Sequence, residues 1–210
     1  MLEWRRSTGI QEGAKPPPHN SFCDTCIISE RFHGPVRIAI SGTPGTGKTS
    51  AGLELQRGGK QVIELNDFIR EHKLIGKRDA KRDTSEVDID KLDSALSKSL
   101  GKGDWMLIGH LSHLLAVDLI IVLRCRPSVL RQRLEERGYS KAKVRENMEA
   151  EGCDVILIEA LERCEAVYEI DTTERDPGSV ADAVLEIIGG EREKYGAGIV
   201  DWSEEVLSWF

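Results

Sequence analysis

The chain has 210 residues, 40% hydrophobic and 31% charged, an ordinary globular composition that can bury one sizeable core with appendages. A net charge of -7 argues against holding naked nucleic acid by bulk electrostatics, and five scattered cysteines do not form a disulfide framework. No apolar run approaches the roughly eighteen residues of a membrane span, and Met1-Leu2-Glu3-Trp4-Arg5-Arg6 lacks the apolar core of a secretory signal, so no membrane partner and a cytoplasmic location are expected.

Residues 1–35 carry Lys15-Pro16-Pro17-Pro18 and little apolar periodicity, which reads as a disordered or loosely attached extension. They contain His19, Cys23, Cys26 and His33, which could supply four zinc ligands, but one C-x-x-C pair with loosely spaced histidines does not specify a metal site. Val36 is a candidate native start, with the preceding segment not made and not needed for activity.

From residue 36 onward strand-like and helix-like segments alternate, the pattern of a parallel sheet with helices on both faces. Strands are expected near 36–41, 61–64, 104–109, 118–124 and 166–171, and helices near 48–58, 66–73, 88–100, 127–138, 140–164 and 177–188. Asp118-Leu119-Ile120-Ile121-Val122-Leu123 is apolar enough for a strand buried on both faces. Pro127 and Pro177 suit first helical turns, and Asp88 and Asp176 suit caps. Cys125, Cys153 and Cys164 lie in apolar surroundings that suit small buried thiols.

Directly after the first strand stands Gly42-Thr43-Pro44-Gly45-Thr46-Gly47-Lys48-Thr49, a G-x-x-x-x-G-K-[ST] phosphate-binding loop in its strand-to-helix setting. Such a loop must wrap a polyphosphate and start a helix within a few residues. Glycines supply the backbone angles, and N–H groups of Gly42, Gly45, Thr46 and Gly47 turn toward the anion. Lys48 reaches the outer phosphates as a point charge, and the Thr49 hydroxyl is placed to ligate the magnesium that accompanies ATP.

Two basic stretches follow. Arg70-Glu71-His72-Lys73-Leu74-Ile75-Gly76-Lys77-Arg78 and its continuation to Asp83 are too polar for core and too long for a turn, so they read as a flap over an acceptor. Arg133 and Arg137 lie on the helix leaving the fourth strand, where the carboxyl edge of the sheet can bring them to phosphates; the competing reading is a solvated face with pairs such as Arg131 and Glu135. After Gly189-Gly190 a charged linker leads to Trp202, Val206 and Trp209 at helical spacing, expected as a short helix docked on the core.

Together the loop at 42–49, Asn66-Asp67, Val87-Asp88-Ile89-Asp90, Gly109-His110, Leu123-Arg124, Arg137-Gly138-Tyr139 and Lys143-Val144-Arg145-Glu146-Asn147 resemble the atypical adenylate kinase family, isoenzyme-six type, in its archaeal form. The resemblance covers about residues 36–188 and the Trp-containing tail. It implies an α/β fold of the P-loop NTPase type: a parallel five-stranded sheet in a nucleoside monophosphate kinase domain at 36–189, with a monophosphate-binding flap at 64–87 and a lid at 136–146, followed by a linker and helix at 190–210. The implied activity is transfer of the terminal phosphate of ATP to AMP with Mg2+, and ATP hydrolysis. It also implies a part in small-subunit ribosomal RNA maturation with a ribosomal protein and pre-ribosomal RNA as partners.

By position, Gly45, Gly47, Lys48, Thr49, Ser50 and Arg137 would bind ATP, and His110 would position water or assist lid closure. The family commonly has an acid two positions before that histidine, where this chain has Ile108. Asp67, following the second strand at the carboxyl edge of the sheet, is the expected replacement, whereas Asp104 and Asp118 begin their strands at the wrong end. His113 is expected to be structural. No base-reading N-K-x-D of a GTPase is present. The alternatives are a small-molecule kinase with a non-nucleotide acceptor, and a P-loop ATPase acting mainly on a ribosomal protein.

Overall fold

The computed structural model describes residues 36–79 and 84–210, and the side chains of 77–86 are not part of that description. The expected extension, the quartet His19, Cys23, Cys26 and His33, and most of the basic flap side chains lie outside the described residues.

Five strands, β1 (Arg37–Ser41), β2 (Val62–Glu64), β5 (Trp105–Ile108), β6 (Leu119–Arg124) and β7 (Val167–Asp171), form one sheet in the order β2-β5-β1-β6-β7. Every pairing in it is parallel. All six residues of β6 are buried: Leu119 to Leu123 form a continuous apolar run rather than an alternating one, and Arg124 at its end is buried through ion pairs with Glu151 and Glu169.

Period-two alternation divides the core. Ile38, Ile40, Met106, Ile108 and Ile121 face α1 (Lys48–Arg57) and α7 (Pro177–Gly189), through Ala51, Leu55, Val180 and Val184. On the other face Ala39, Ile120 and Val122 meet Leu157 and Ala160 of α6 (Val155–Leu161), while Leu107 meets α2 (Leu65–Glu71) and α3 (Ile89–Ser99). Each fully buried Ile or Leu contributes about 2 kcal/mol of transfer free energy, so this two-sided burial fixes the register of the strands. Asp88 caps α3 by accepting from the Lys91 N–H at 3.1 Å, and Asp176 caps α7. Pro127 opens α4 (Pro127–Glu136) and Pro177 opens α7.

Three expectations change. The single helix at 140–164 is two, α5 (Lys141–Gly152) and α6, because Asp154 adopts φ 55° and turns the chain. Cys153, at that break, is exposed rather than buried; Cys125 is buried, and burial pushes its thiol up to about 11. The stretch expected as a flap contains two strands outside the expected set: β3 (Ile75–Asp79) and β4 (Thr84–Val87) pair as an antiparallel hairpin.

The tail forms α8 (Ser203–Leu207). Trp202 is buried at its start, Val206 and Trp209 lie beside Gly152 of α5, and Glu205 accepts from the Ser128 N–H of α4 at 2.7 Å. No helix among the described residues is long and apolar enough to cross a membrane.

Candidate active site

The loop between β1 and α1 takes its shape from two constraints. Gly42 has φ 140°, and a Cβ there would stand 2.3 Å from the Leu123 carbonyl oxygen of β6; Gly47 has φ 93° and begins α1 with nothing near its missing Cβ. The Lys48 ammonium donates to the carbonyls of Gly42 at 2.7 Å and Thr43 at 3.0 Å. Burial pushes its pKa down to about 8, against the opposing pull of Glu64 and Glu151.

A cavity of about 510 Å³ opens over this loop and collects side chains from four parts of the chain: Lys48 and Thr49, Glu64 and Asn66, His110, and Arg137 with Tyr139, Lys143 and Asn147. Pro44, Gly45, Gly47, Ser50 and Glu146 complete the lining, and Glu146 pairs with Lys143 at 3.0 Å. A second cavity of about 480 Å³ shares Gly45, Gly47, Ser50 and Arg137 with the first, and adds Thr46, Arg133, Thr172 and Pro177. Arg137 follows α4 immediately before Gly138, whose φ of 76° turns the chain toward α5, and this bend lets one guanidinium border both spaces. Arg133 donates to the carbonyls of Thr172 at 2.8 Å and Thr173 at 3.0 Å, while Arg131 pairs with Glu135 on the exposed side of α4.

The carboxylate nearest Thr49 is not Asp67. Asp67 is exposed on α2, pairs with Arg70, and does not line the cavity, because the first turn of α2 rotates it outward. Glu64 lines the cavity instead and accepts from the Thr49 hydroxyl at 3.0 Å. It is the register partner of Ile108 in the adjacent parallel strand, and paired residues of parallel strands present their side chains on the same face. Ile108 itself is fully buried, and a Cβ on Gly52 would come within 2.5 Å of its Cδ1, so position 108 serves α1 packing. Burial raises the Glu64 pKa, Thr49 and Lys48 oppose the rise, and Asp67 adds to it. No motif marks Glu64 in the sequence; its place comes from the strand register that pairs it with Ile108.

His110 lines the cavity and is still open to solvent; partial desolvation against the cavity wall, then the charge of Lys48, lowers its pKa and favours the neutral imidazole. His113 stands behind the site, held between the Ser41 hydroxyl at 2.8 Å and Glu159 at 2.8 Å, a structural histidine.

Comparison with known proteins identifies relatives of the chain and of its fold. The family model described as an AAA domain matches residues 38–154. A protein of Natronomonas pharaonis named "Putative adenylate kinase" is 45% identical over 173 residues, covering 81% of this chain and all of that protein. One of the same name from Methanocaldococcus jannaschii is 41% identical over 176 residues, covering 83% of this chain and 97% of the relative. The chain belongs to the atypical adenylate kinase family in its archaeal form. Its fold is shared more widely than that family: shikimate kinase from Acinetobacter baumannii in complex with shikimate superposes with a TM-score of 0.56 at 15% identity, covering 79% of this chain and 99% of that one. At that identity the likeness describes the fold alone.

Proposed function

We propose that the protein is a magnesium-dependent nucleoside monophosphate kinase that transfers the terminal phosphate of ATP to AMP. The observation that carries the reading is the convergence of Lys48, Thr49, Glu64, Arg137 and Lys143 on one cavity above the phosphate loop. Phosphoryl transfer is chiefly positioning and charge neutralisation, and this set supplies both. The loop holds the triphosphate, and the second cavity, which reaches Thr172 and Pro177 from the same loop, takes the donor base. Arg137, bordering both spaces, spans the donor and the transferring group, and Lys143 faces the acceptor. Neutral His110 can orient a hydroxyl or a water without adding charge.

The residues fit magnesium. The Thr49 hydroxyl and Glu64 carboxylate are hard oxygen donors 3.0 Å apart, and this cation is commonly held by one or two carboxylates plus substrate phosphates. When bound, it would supply further neutralisation of the phosphate oxygens. Glu64 thus takes the role expected of Asp67.

The test is a panel of acceptors with magnesium ATP, scoring ADP and phosphorylated product separately. Transfer to AMP above background hydrolysis is expected; hydrolysis with no nucleoside monophosphate phosphorylated sinks the assignment. A second reading, an ATP-hydrolysing factor that serves small-subunit ribosomal RNA maturation through a ribosomal protein, draws on exposed apolar Ile158 and Leu161 of α6 and Leu207 of α8. It predicts that the ribosomal protein stimulates hydrolysis while AMP phosphorylation stays poor.

A further inference from the structure

One buried carboxylate ties the phosphate loop to the tail. Glu151, near the end of α5, accepts from the Thr43 hydroxyl of the loop at 2.5 Å, from Arg124 Nε at 2.7 Å, from the Cys125 N–H at 3.2 Å and from the Trp202 indole N–H at 3.3 Å. Thr43, Arg124, Glu151 and Trp202 are all buried. Thr43 is also where the loop holds its lysine: its carbonyl accepts from Lys48 Nζ at 3.0 Å, from the Thr46 N–H at 3.2 Å and from the Thr46 hydroxyl at 3.0 Å. Two turns before Glu151 on the same helix is Lys143, and one turn before it is Asn147; both line the cavity.

We propose that Glu151 is a positioning residue: through Thr43 it fixes the loop segment that holds Lys48, and through Trp202 it makes that placement depend on the docked tail. Resting on the kinase reading for its catalytic consequence, the proposal names a role for a side chain that lines neither cavity. The linkage is short and directional. A hydroxyl donating to a buried carboxylate is a charge-assisted bond with one strongly preferred geometry, and no water competes for it. A shift of the Thr43 backbone that breaks the Glu151 contact would carry its carbonyl, and with it the Lys48 contact and the turn to Thr46. The loop and the cavity-lining helix α5 are therefore held at one shared point.

Removing Glu151 itself would strip a partner from buried Arg124, so Glu151→Gln reports on folding as well as on the loop. The informative variants leave that ion pair intact. Thr43→Val keeps shape and removes the hydroxyl, Thr43→Ser keeps the hydroxyl, and Trp202→Phe keeps a ring and removes the indole N–H. Each is measured by amide hydrogen exchange across 42–49, with 37–41 of β1 as an internal reference, and by kcat and KM for ATP and calorimetric affinity for magnesium ADP. Thr43→Val should speed exchange in the loop but not in β1, and lower kcat/KM for ATP about tenfold, the scale of one hydrogen bond to a charged group. Thr43→Ser should restore both to within about twofold, and Trp202→Phe should speed exchange in the same loop amides. Loop exchange and ADP affinity of Thr43→Val equal to the parent would overturn the proposal. So would a serine variant as impaired as the valine, which would assign the effect to methyl packing, or an unaltered loop in Trp202→Phe, which would remove the tail from the linkage. Should the parent chain transfer phosphate to no acceptor, the kinase reading falls alone, and loop exchange and ADP affinity still decide the role of Glu151.

Discussion

The contact between Gly52 and Ile108 explains why an apolar residue occupies the end of β5, and it can be measured. Gly52 is buried inside α1, and a Cβ there would lie 2.5 Å from Ile108 Cδ1 and 3.7 Å from Val62 Cγ1. Gly52→Ala gains about 1 kcal/mol of helix propensity and loses about 1–3 kcal/mol to overpacking, for a net loss of about 1 kcal/mol. Ile108→Val deletes the atom in the way and, alone, costs about 1 kcal/mol. In the double variant the alanine methyl fills the space that Cδ1 leaves, the propensity gain is retained, and stability should return close to the parent. The two single losses sum to about 2 kcal/mol and the double loses about none, a coupling of about 2 kcal/mol. Urea unfolding of the four proteins, followed by far-ultraviolet circular dichroism, gives each value. Additivity within about 0.5 kcal/mol, or a Gly52→Ala variant more stable than the parent, would refute the packing argument.

Lys48→Ala should abolish phosphate transfer while leaving the fold intact, because its ammonium is held by two loop carbonyls rather than by core packing; near-normal turnover would overturn the site. Its lowered pKa also sets a sign: between about 8 and the ordinary 10.5 the unfolded chain holds the proton more tightly, so the Lys48 contribution to stability rises with pH across that window. Urea midpoints of parent and Lys48→Ala at several pH values should differ by that rise. Glu64, with a raised pKa, contributes in the other direction, its share of stability being greatest below the ordinary 4.5 and lost as pH climbs through the folded value. Catalysis needs the carboxylate, so kcat/KM should fall on acidification from above pH 4.5. Glu64→Gln should remove that limb and raise the magnesium requirement by about tenfold or more. An unchanged magnesium titration would return the role to another carboxylate.

The parallel sheet was legible in the sequence because its strands are short apolar runs closed by turns, and β6 is apolar on both faces. The hairpin β3–β4 was not. Its residues from Ile75 to Asp79 are mostly charged, and a two-stranded ribbon needs no apolar run to satisfy its backbone. The break between α5 and α6 carries no proline, and the turn falls on Asp154, a residue that tolerates the left-handed conformation but does not announce it. At the site, the loop and Arg137 could be placed by motif, since spacing along one chain segment fixes them. Glu64 could not, since its proximity to Thr49 comes from strand register and the handedness of a helix start, both tertiary facts.

The partners of Arg124 also bear on how the molecule is made. Its guanidinium meets Glu151, Asp154 and Glu169, and Glu169 in turn accepts from the Gly198 N–H. In chain order Arg124, a cation destined for the middle of the core, precedes all three of those acids. Domains fold as their segments become available. The surroundings of the phosphate loop, an early part of the sheet domain, are therefore completed only by residues 151, 169 and 202, far along the chain.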